Sequence, residues 1–291
     1  MSPKNDGLMS TGELKKSKES SNSPSGSYGY YVYCICEKLP AEKLTHEPLP
    51  AAIDEKAKLE VIMREDLAGI VSAVPLSVFG EDALQERLTD AAWTAVKAMR
   101  HEQVVEHFAK QTSVVPLRFG TIYLERSGIE EMLDEKREQL SATLKRLQGH
   151  EEWGVNVYSD RDALLENITT VSPRLREMSE AAQKAPPGQS YLLQKKIDAL
   201  RTDEVKVEVV RIADEIEKSL HHRSDGSVKL KILKVETTEH GELKAKFAFL
   251  VNKEKFAAFR DGAEELARRF EDSGIKIELT GPWPAYNFAT L

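Results

Sequence analysis

The stretch 275–288, IKIELTGPWPAYNF, decides how the chain is to be interpreted, because it joins a strand to a stiff aromatic tail. Ile275, Ile277 and Leu279 alternate with polar residues, which is the period-2 pattern of a strand with one buried face. Gly281-Pro282 ends the strand, because proline has no backbone N–H to give to a neighbouring strand. The sequence therefore predicts a half-buried strand that stops at this dipeptide.

The tail after this strand is rich in aromatic residues, whereas the whole chain is only 7% aromatic. Trp283, Tyr286 and Phe288 lie within six residues, and Pro282 and Pro284 stiffen this part of the backbone. One interpretation folds the tail over the sheet edge as a lid on the core. The other makes it a docking surface for an apolar partner, because Trp and Tyr supply large contact areas at a low entropic cost.

Composition limits the classes of function. The chain has 291 residues, of which 41% are hydrophobic and 31% charged, as in globular proteins. Its formal net charge of -7 leaves no basic surplus for neutralising phosphates, so we expect no nucleic-acid partner. No apolar run approaches the ~18 residues that a membrane span needs, and the amino terminus has no apolar signal core. We therefore expect a cytoplasmic protein that does not enter a lipid membrane.

Two cysteines, Cys34 and Cys36, are the whole cysteine content of the chain. At this spacing on a strand they point to one face, and a disulfide between them would be strained. No second pair of Cys or His residues has the spacing that would complete a metal site. We expect buried thiols in a reducing compartment, and neither a metal nor another cofactor.

Three segments are predicted along the chain. Residues 1–27 include eight serines and few apolar residues, so we expect a disordered tail. Residues 28–150 should form an amino-terminal α+β domain. Residues 151–291 should form a second α+β domain that ends in the aromatic tail.

The second half predicts the order β-α-β-β-α-β, which is the ferredoxin-like plan. Its helical part is predicted to be interrupted at Ser172-Pro173 and to continue as a long helix from Gln189 to about Leu220. The alternation of Val205, Val207 and Val209 also fits a strand, and this alternative stays open. The first half, with strands near residues 30, 70 and 115, is predicted to be a variant of the same plan.

A helix that starts at Asp82 is predicted to cover the first sheet. The apolar residues of its first part fall on one face and are expected to be buried: Leu84, Leu88, Ala92, Ala95, Val96 and Met99. A kink near His101 would let the helix continue as far as Phe108. A second helix is predicted from Ile129 to Leu147.

The search for catalytic motifs finds none. His101-Glu102 opens a zinc-protease-like HExx pattern, but Val105 stands where the second histidine is needed. Phosphate-binding loops and nucleophile elbows are absent from the sequence. We therefore predict that the protein is not an enzyme.

The stretch 114–123, VVPLRFGTIY, places a charge among apolar residues. Pro116 inside the strand predicted at Val114 to Phe119 indicates a sheet edge or a bulge. Arg118 either extends its charge to water from that edge or pairs with a carboxylate from elsewhere in the chain.

Five short motifs in order resemble one known family. They are HEQVV at 101–105, VVPLRFGT at 114–121, EWGVNVY at 152–158, GQSYLLQKK at 188–196 and LTGPWPAYNF at 279–288. Together they look like the gas vesicle protein F/L family, over nearly all of the chain from Tyr28 to Phe288. The length of the chain favours the L branch.

This resemblance implies an accessory protein of gas vesicle formation, associated with the vesicle in the cytoplasm. It implies binding to the very apolar major shell protein and to other accessory proteins, to help nucleate or assemble the wall. Our hypothesis is that a sheet edge and the aromatic tail contribute to that contact through Pro116, Arg118, Phe119, Trp283, Tyr286 and Phe288. The alternative function is a regulatory module that binds a ligand between two ferredoxin-like domains.

Overall fold

The computed structural model describes residues 27–38, 40–41, 48–232 and 237–289. The predicted serine-rich tail therefore lies outside the described residues, except for Ser27. The chain forms two compact units: residues 1–148 with the segment from Pro284 onward, and Gly149–Trp283. Each unit combines helices with an antiparallel sheet of five strands, so the fold is mixed α+β.

The first unit is built on a sheet with the order β2-β3-β1-β4, in which β5 also pairs with β1. All of its pairings are antiparallel. The strands are β1 (Tyr28–Glu37), β2 (Leu59–Arg64), β3 (Leu67–Pro75), β4 (Val114–Pro116) and β5 (Ile122–Tyr123). Pro116 thus lies on an outer strand, where a missing N–H costs no ladder hydrogen bond.

Five helices of the first unit accompany this sheet. They are α1 (Leu76–Phe79), α2 (Glu81–Arg87), α3 (Ala91–Ala109), α4 (Arg126–Glu135) and α5 (Arg137–Leu147). Strand β1 is aromatic and β-branched and is buried on both faces from Tyr31 to Cys36. Its Tyr31 and Tyr33 belong to the same core as Phe108 of α3. Both cysteines are buried and free, and burial raises the pKa of Cys36 to about 12.

The second unit has a sheet with the order β10-β6-β9-β7, in which β8 also pairs with β9. Its strands are β6 (His150–Ser159), β7 (Gly226–Lys229), β8 (Thr237–Thr238), β9 (Gly241–Asn252) and β10 (Ile275–Trp283). Its helices are α6 (Arg161–Val171), α7 (Pro173–Lys184), α8 (Pro187–His221) and α9 (Phe256–Phe270). The half-buried strand predicted at the end of the chain is β10, which pairs with β6. It does not stop at Gly281-Pro282 as predicted but continues, after a shift in register beyond Thr280, to Trp283.

The long helix α8 supplies much of the second core. Its inward residues recur at helical spacing, including Ile197, Val209, Ile212, Ile216 and Leu220. The prediction of a helix here is confirmed, and the alternative strand at Val205 to Val209 is wrong. Helical spacing over this length outweighs three alternating valines, because apolar residues recur mostly three or four positions apart along the segment.

The predicted interruption at Ser172-Pro173 is confirmed. Ser172 caps α7, because its hydroxyl accepts a hydrogen bond from the Leu175 backbone N–H at 3.2 Å. The same hydroxyl donates to the Glu204 carboxylate of α8 at 2.8 Å. Glu204 is buried and also accepts a bond from Arg174 at 3.2 Å. This buried carboxylate fixes the start of α7 against α8.

Two predicted helices are each divided in the structure. The one expected from Asp82 breaks after Arg87, and α3 begins afresh at Asp90, whose carboxylate accepts bonds from two backbone N–H groups. This helix continues without interruption past His101 to Ala109, and the kink near His101 stays a prediction. The helix expected from Ile129 to Leu147 is α4 followed by α5, with the break at Lys136. Periodicity missed both breaks because the apolar pattern runs on across them.

The placement of the aromatic tail in the second domain needs correction. The segment from Pro284 onward belongs to the first unit, because Tyr286 is half-buried against the core of that unit and Phe288 is buried. Only Trp283, the last residue of β10, stays with the second unit. The second unit is therefore inserted, along the chain, between two parts of the first.

A glycine in the second unit gives a stability prediction. Gly241, at the turn between β8 and β9, has φ of +99°, and a Cβ there would lie 2.4 Å from the Ser159 backbone oxygen. We expect Gly241→Ala to lower the free energy of unfolding by about 2 kcal/mol or more. The matched control is Gly188→Ala, where a Cβ meets nothing within 4 Å. Equal urea midpoints for the two variants would contradict this assignment.

Candidate functional site

The tail residue Tyr286 is held by two side chains of α3. Its hydroxyl donates a hydrogen bond to the Glu102 carboxylate at 3.0 Å and lies 3.0 Å from Nε2 of His101. His101 is buried, and its Nδ1 lies 2.9 Å from the hydroxyl of Tyr31 on β1. The backbone N–H of Gly120 donates to that same hydroxyl at 3.0 Å. These groups form one network, called here the tail anchor.

Proton positions in the tail anchor follow from its acceptors. With Glu102 ionised, the Tyr286 hydroxyl gives it a proton and accepts the Nε2 proton of His101. Nδ1 of the neutral imidazole then accepts from the Tyr31 hydroxyl. Each polar group of the tail anchor has a partner, which is what buried polar groups require. The arrangement requires a neutral His101.

Burial shifts the titration of the tail anchor. It lowers the pKa of His101 to about 4, although a hydrogen bond with the Leu117 backbone acts in the opposite direction. It raises the pKa of Glu102, against the hydrogen bond from Tyr286. The pKa of Tyr286 is raised by burial and by the nearby Glu102 charge. Near neutral pH the two tyrosines and the histidine are therefore uncharged.

The tail is fixed at a second point by Phe288. Its side chain is buried, and its backbone oxygen accepts a hydrogen bond from the Arg146 guanidinium of α5. Ala285 and Ala289 on either side are buried as well. The segment after Trp283 is thus part of the first core, as the lid interpretation of the sequence predicted.

The other residues singled out in the sequence divide into buried and exposed ones. Pro116 is buried in β4, and Phe119 packs edge-on against Tyr31 and His101, with ring centroids 6.2 and 5.9 Å apart. Phe119 and Tyr286 therefore meet at the same histidine. Arg118 is exposed, and none of the ion pairs found within the described ranges includes it. Trp283 is 48% exposed.

An apolar surface that sequence reasoning missed lies on α3. Most of the face expected to be buried is exposed: we call Leu88, which directly follows α2, together with Ala92, Ala95, Val96 and Met99 of α3 the α3 stripe. Of these, Val96 is 44% and Met99 55% exposed. The prediction that this face packs into the core is wrong for these five residues, whereas Leu84 packs against the first core as predicted.

The opposite face of α3 packs inward although it carries cations. The Lys97 ammonium donates a hydrogen bond to the Ile53 backbone oxygen at 2.8 Å and lies 6.0 Å from the ring centroids of Phe79 and Trp93. Arg100 pairs with Glu55. Long basic side chains can cover apolar surface with their stems while the charged end finds a partner. Periodicity alone gave the wrong face because it counts lysine and arginine as polar.

Neither a metal-ion cluster nor a membrane-spanning helix is found in the described part of the chain. There, no group of three or more His, Cys, Asp or Glu side chains is placed to hold a metal ion. Among the helices described, none combines the length and apolar character needed to cross a bilayer. The described residues also expose apolar side chains on helix faces, the α3 stripe among them.

The sequence identifies the class to which this α+β protein belongs. Residues 29–290 match the family described as gas vesicle synthesis protein GvpL/GvpF, and the chain belongs to that family. It is therefore a protein of gas vesicle formation.

Individual relatives carry names from both branches. The chain is 29% identical to gas vesicle protein L of Streptomyces sp. (strain CB03234), over 90% of this chain and 92% of that protein. It is 26% identical to gas vesicle protein L1 of Halobacterium salinarum, over 90% and 91%. Against gas vesicle protein F of the same Streptomyces strain the identity is 25%, over 89% and 98%. The L branch remains a prediction.

Solved structures of the family share the fold. The crystal structure of GvpF from Anabaena sp. PCC7120 superposes with a TM-score of 0.62 at 18% identity, over 91% of this chain and 97% of that one. GvpF from Microcystis aeruginosa gives 0.58 at 20% identity, over 90% and 99%. These similarities establish a mixed α+β fold with antiparallel sheets.

Proposed function

We propose that the protein is a non-enzymatic accessory protein of gas vesicle formation that binds the hydrophobic major shell protein and helps to nucleate or assemble the wall. Membership of the GvpL/GvpF family supports the process. The exposed α3 stripe is the observation that supports binding of the shell protein. The protein acts in the cytoplasm at the growing vesicle, where other accessory proteins are further partners.

The chemistry of the shell protein fits such a surface. A subunit that buries its apolar face only in the assembled wall exposes that face beforehand and is prone to aggregate. A helix face with Leu, Val and Met side chains can cover an apolar segment, as in other helix-in-groove contacts. The two small residues between them, Ala92 and Ala95, let a partner approach the helix closely. The α3 stripe would therefore hold the subunit until it joins the wall.

The residues predicted from the sequence contribute unequally to this proposal. Arg118 and Trp283 are exposed and are available at the edge of a contact. Tyr286, Phe288, Pro116 and Phe119 pack within the first unit, so a partner could meet them only after local opening. We propose the first two as peripheral contacts and assign the other four to the core.

We infer further that both units follow the ferredoxin-like plan. In the first sheet β1 lies between β3 and β4, and β2 pairs with β3. In the second sheet β6 lies between β9 and β10, and β7 pairs with β9. The orders β2-β3-β1-β4 and β10-β6-β9-β7 support this interpretation.

Charge placed on the α3 stripe tests the proposed contact. We expect V96E and M99E together to weaken capture of co-expressed, tagged shell protein by about tenfold or more, since each buried side chain contributes about 1.5–3 kcal/mol. The matched control is the pair V207E and V210E on α8, where the valines are 57% and 58% exposed. Unchanged capture by the stripe variant, with a native circular dichroism spectrum, would refute the assignment.

A further inference from the structure

The turn between α7 and α8 is a basic, apolar tip in an acidic protein. The two helices pack together and are joined by only two residues, Ala185 and Pro186. Residues 184–196, called here the hairpin tip, contain three lysines and no acidic residue, a formal charge of +3 against -7 for the chain. Tyr191 and Leu192 within it are 63% and 67% exposed.

The charges of the hairpin tip are not neutralised locally. None of the ion pairs within the described ranges includes Lys184, Lys195 or Lys196. The Lys195 ammonium lies 5.8 Å from the centroid of the Tyr191 ring, which leaves its charge open to a further partner. The amino terminus of a 35-residue helix adds positive potential at the same place.

The surface around the α3 stripe has the opposite character. Residues 81–90, which lead into α3, contain four acidic residues and one arginine, a formal charge of -3. Glu81, Asp82 and Glu86 are exposed, and no ion pair among the described side chains includes them. The first two lie in the first turn of α2, where the helix dipole favours carboxylates. Glu86 lies in the last turn of α2, where the helix dipole disfavours a carboxylate, so the dipole does not explain why an acidic residue stands there.

We propose that the hairpin tip of one copy docks on the α2–α3 surface, residues 81–99, of a second copy of this chain. The two surfaces carry formal charges of opposite sign, +3 for residues 184–196 and -2 for residues 81–99, and each presents exposed apolar side chains. Tyr191 and Leu192 would lie on Val96 and Met99, with the lysines facing the carboxylates of α2. Opposite charge brings such surfaces together and sets their register, while apolar contact holds them.

Because the two surfaces differ, the contact is heterologous. Each copy in a pair keeps one free hairpin tip and one free α2–α3 surface, so association continues beyond a dimer. The contact also covers the α3 stripe before the shell protein arrives. This inference uses the same stripe as the proposed function. Self-association is measured without any shell protein, so self-association and shell-protein binding can be refuted separately.

Sedimentation velocity of the full chain tests the contact. We expect a sedimentation coefficient that rises with protein concentration at low ionic strength and falls toward the monomer value at about 1 M salt, where charges are screened within about 3 Å. K195E with K196E should weaken self-association about tenfold or more. The same charge change at K206E with K218E, on α8 outside the hairpin tip, should leave it unchanged.

A mixing experiment separates this contact from any other. The tip variant K195E/K196E keeps its α2–α3 surface, and the surface variant E81K/D82K/E86K keeps its hairpin tip. Each should be monomeric alone. The mixture should associate again with the two variants alternating, because the unaltered tip of one fits the unaltered surface of the other and the two altered surfaces are also opposite in charge. All five substitutions in one chain should restore association. A monomeric wild-type chain at every concentration, or a mixture that stays monomeric, would overturn the proposal, as would variants that associate like the wild type.

Discussion

Replacing Tyr286 by alanine should destabilise the first unit by about 3 kcal/mol, although the residue follows the whole second unit in sequence. Truncating a fully buried aromatic side chain costs about 3–5 kcal/mol through lost burial and the cavity that remains, and the half-buried Tyr286 lies at the lower end of this range. The change would also leave His101 and Glu102 without the hydroxyl that now joins them. Amide hydrogen exchange along β1 would measure the loss, because it reports on the first unit by itself.

Trp283 provides the matched control for this prediction. It is a larger aromatic residue three positions earlier, but it is 48% exposed and its indole N–H donates only to Thr280, at 3.3 Å. We expect Trp283→Ala to change the exchange of β1 amides by less than about 1 kcal/mol. If both variants weakened β1 protection equally, the tail anchor would not be what holds the segment. Tyr286→Phe, which removes only the hydroxyl, should fall between the two.

Acidification should destabilise the first unit through His101. Burial lowers its pKa from the ordinary value of 6.5 to about 4, so the unfolded chain binds this proton first as the pH falls. The stabilising contribution of the neutral imidazole is therefore complete above pH 6.5 and is lost between there and pH 4. The loss approaches about 3 kcal/mol, since one unit of pKa corresponds to about 1.4 kcal/mol.

His101→Gln isolates this contribution. Urea unfolding of both proteins between pH 7 and pH 4 should show a steeper loss of stability for the wild type, and the difference is the contribution of the histidine. Glu102 acts in the opposite direction, because its raised pKa lets the folded chain bind a proton before the unfolded one. Glu102 is present in both proteins, so its contribution cancels when the two pH profiles are compared. Parallel pH profiles would contradict a buried, neutral His101.

The parts of the fold that were predictable have patterns that local chemistry determines. Strand β10 follows from the alternation Ile275, Ile277, Leu279, although it runs past the predicted proline stop as far as Trp283. The division between α6 and α7 follows from Ser172 as a cap before a proline at the first helical position. Helix α8 follows from apolar spacing sustained over many turns. In each case the deciding residues are neighbours in sequence.

What was not predictable depends on contacts between distant residues. The exposed α3 stripe satisfies the same periodicity as a buried face. The helix instead buries His101, Val104, Val105 and Phe108, and Lys97 packs near Phe79 and Trp93. Likewise, the sequence indicates that the tail can act as a lid, but it does not indicate which core the tail closes. Its partner His101 stands in a fragment of a metal-binding motif, and nothing in the sequence relates it to residue 286.

The insertion of the second unit within the first has a consequence for biosynthesis. On the ribosome, β1 to β5 emerge early, but the segment that carries Tyr286 and Phe288 emerges only after all of the second unit has been translated. Until then the cleft beside His101 lacks the side chain that fills it, and the nascent first unit stays exposed to chaperones and proteases. The second unit contains its own core and can mature during that interval.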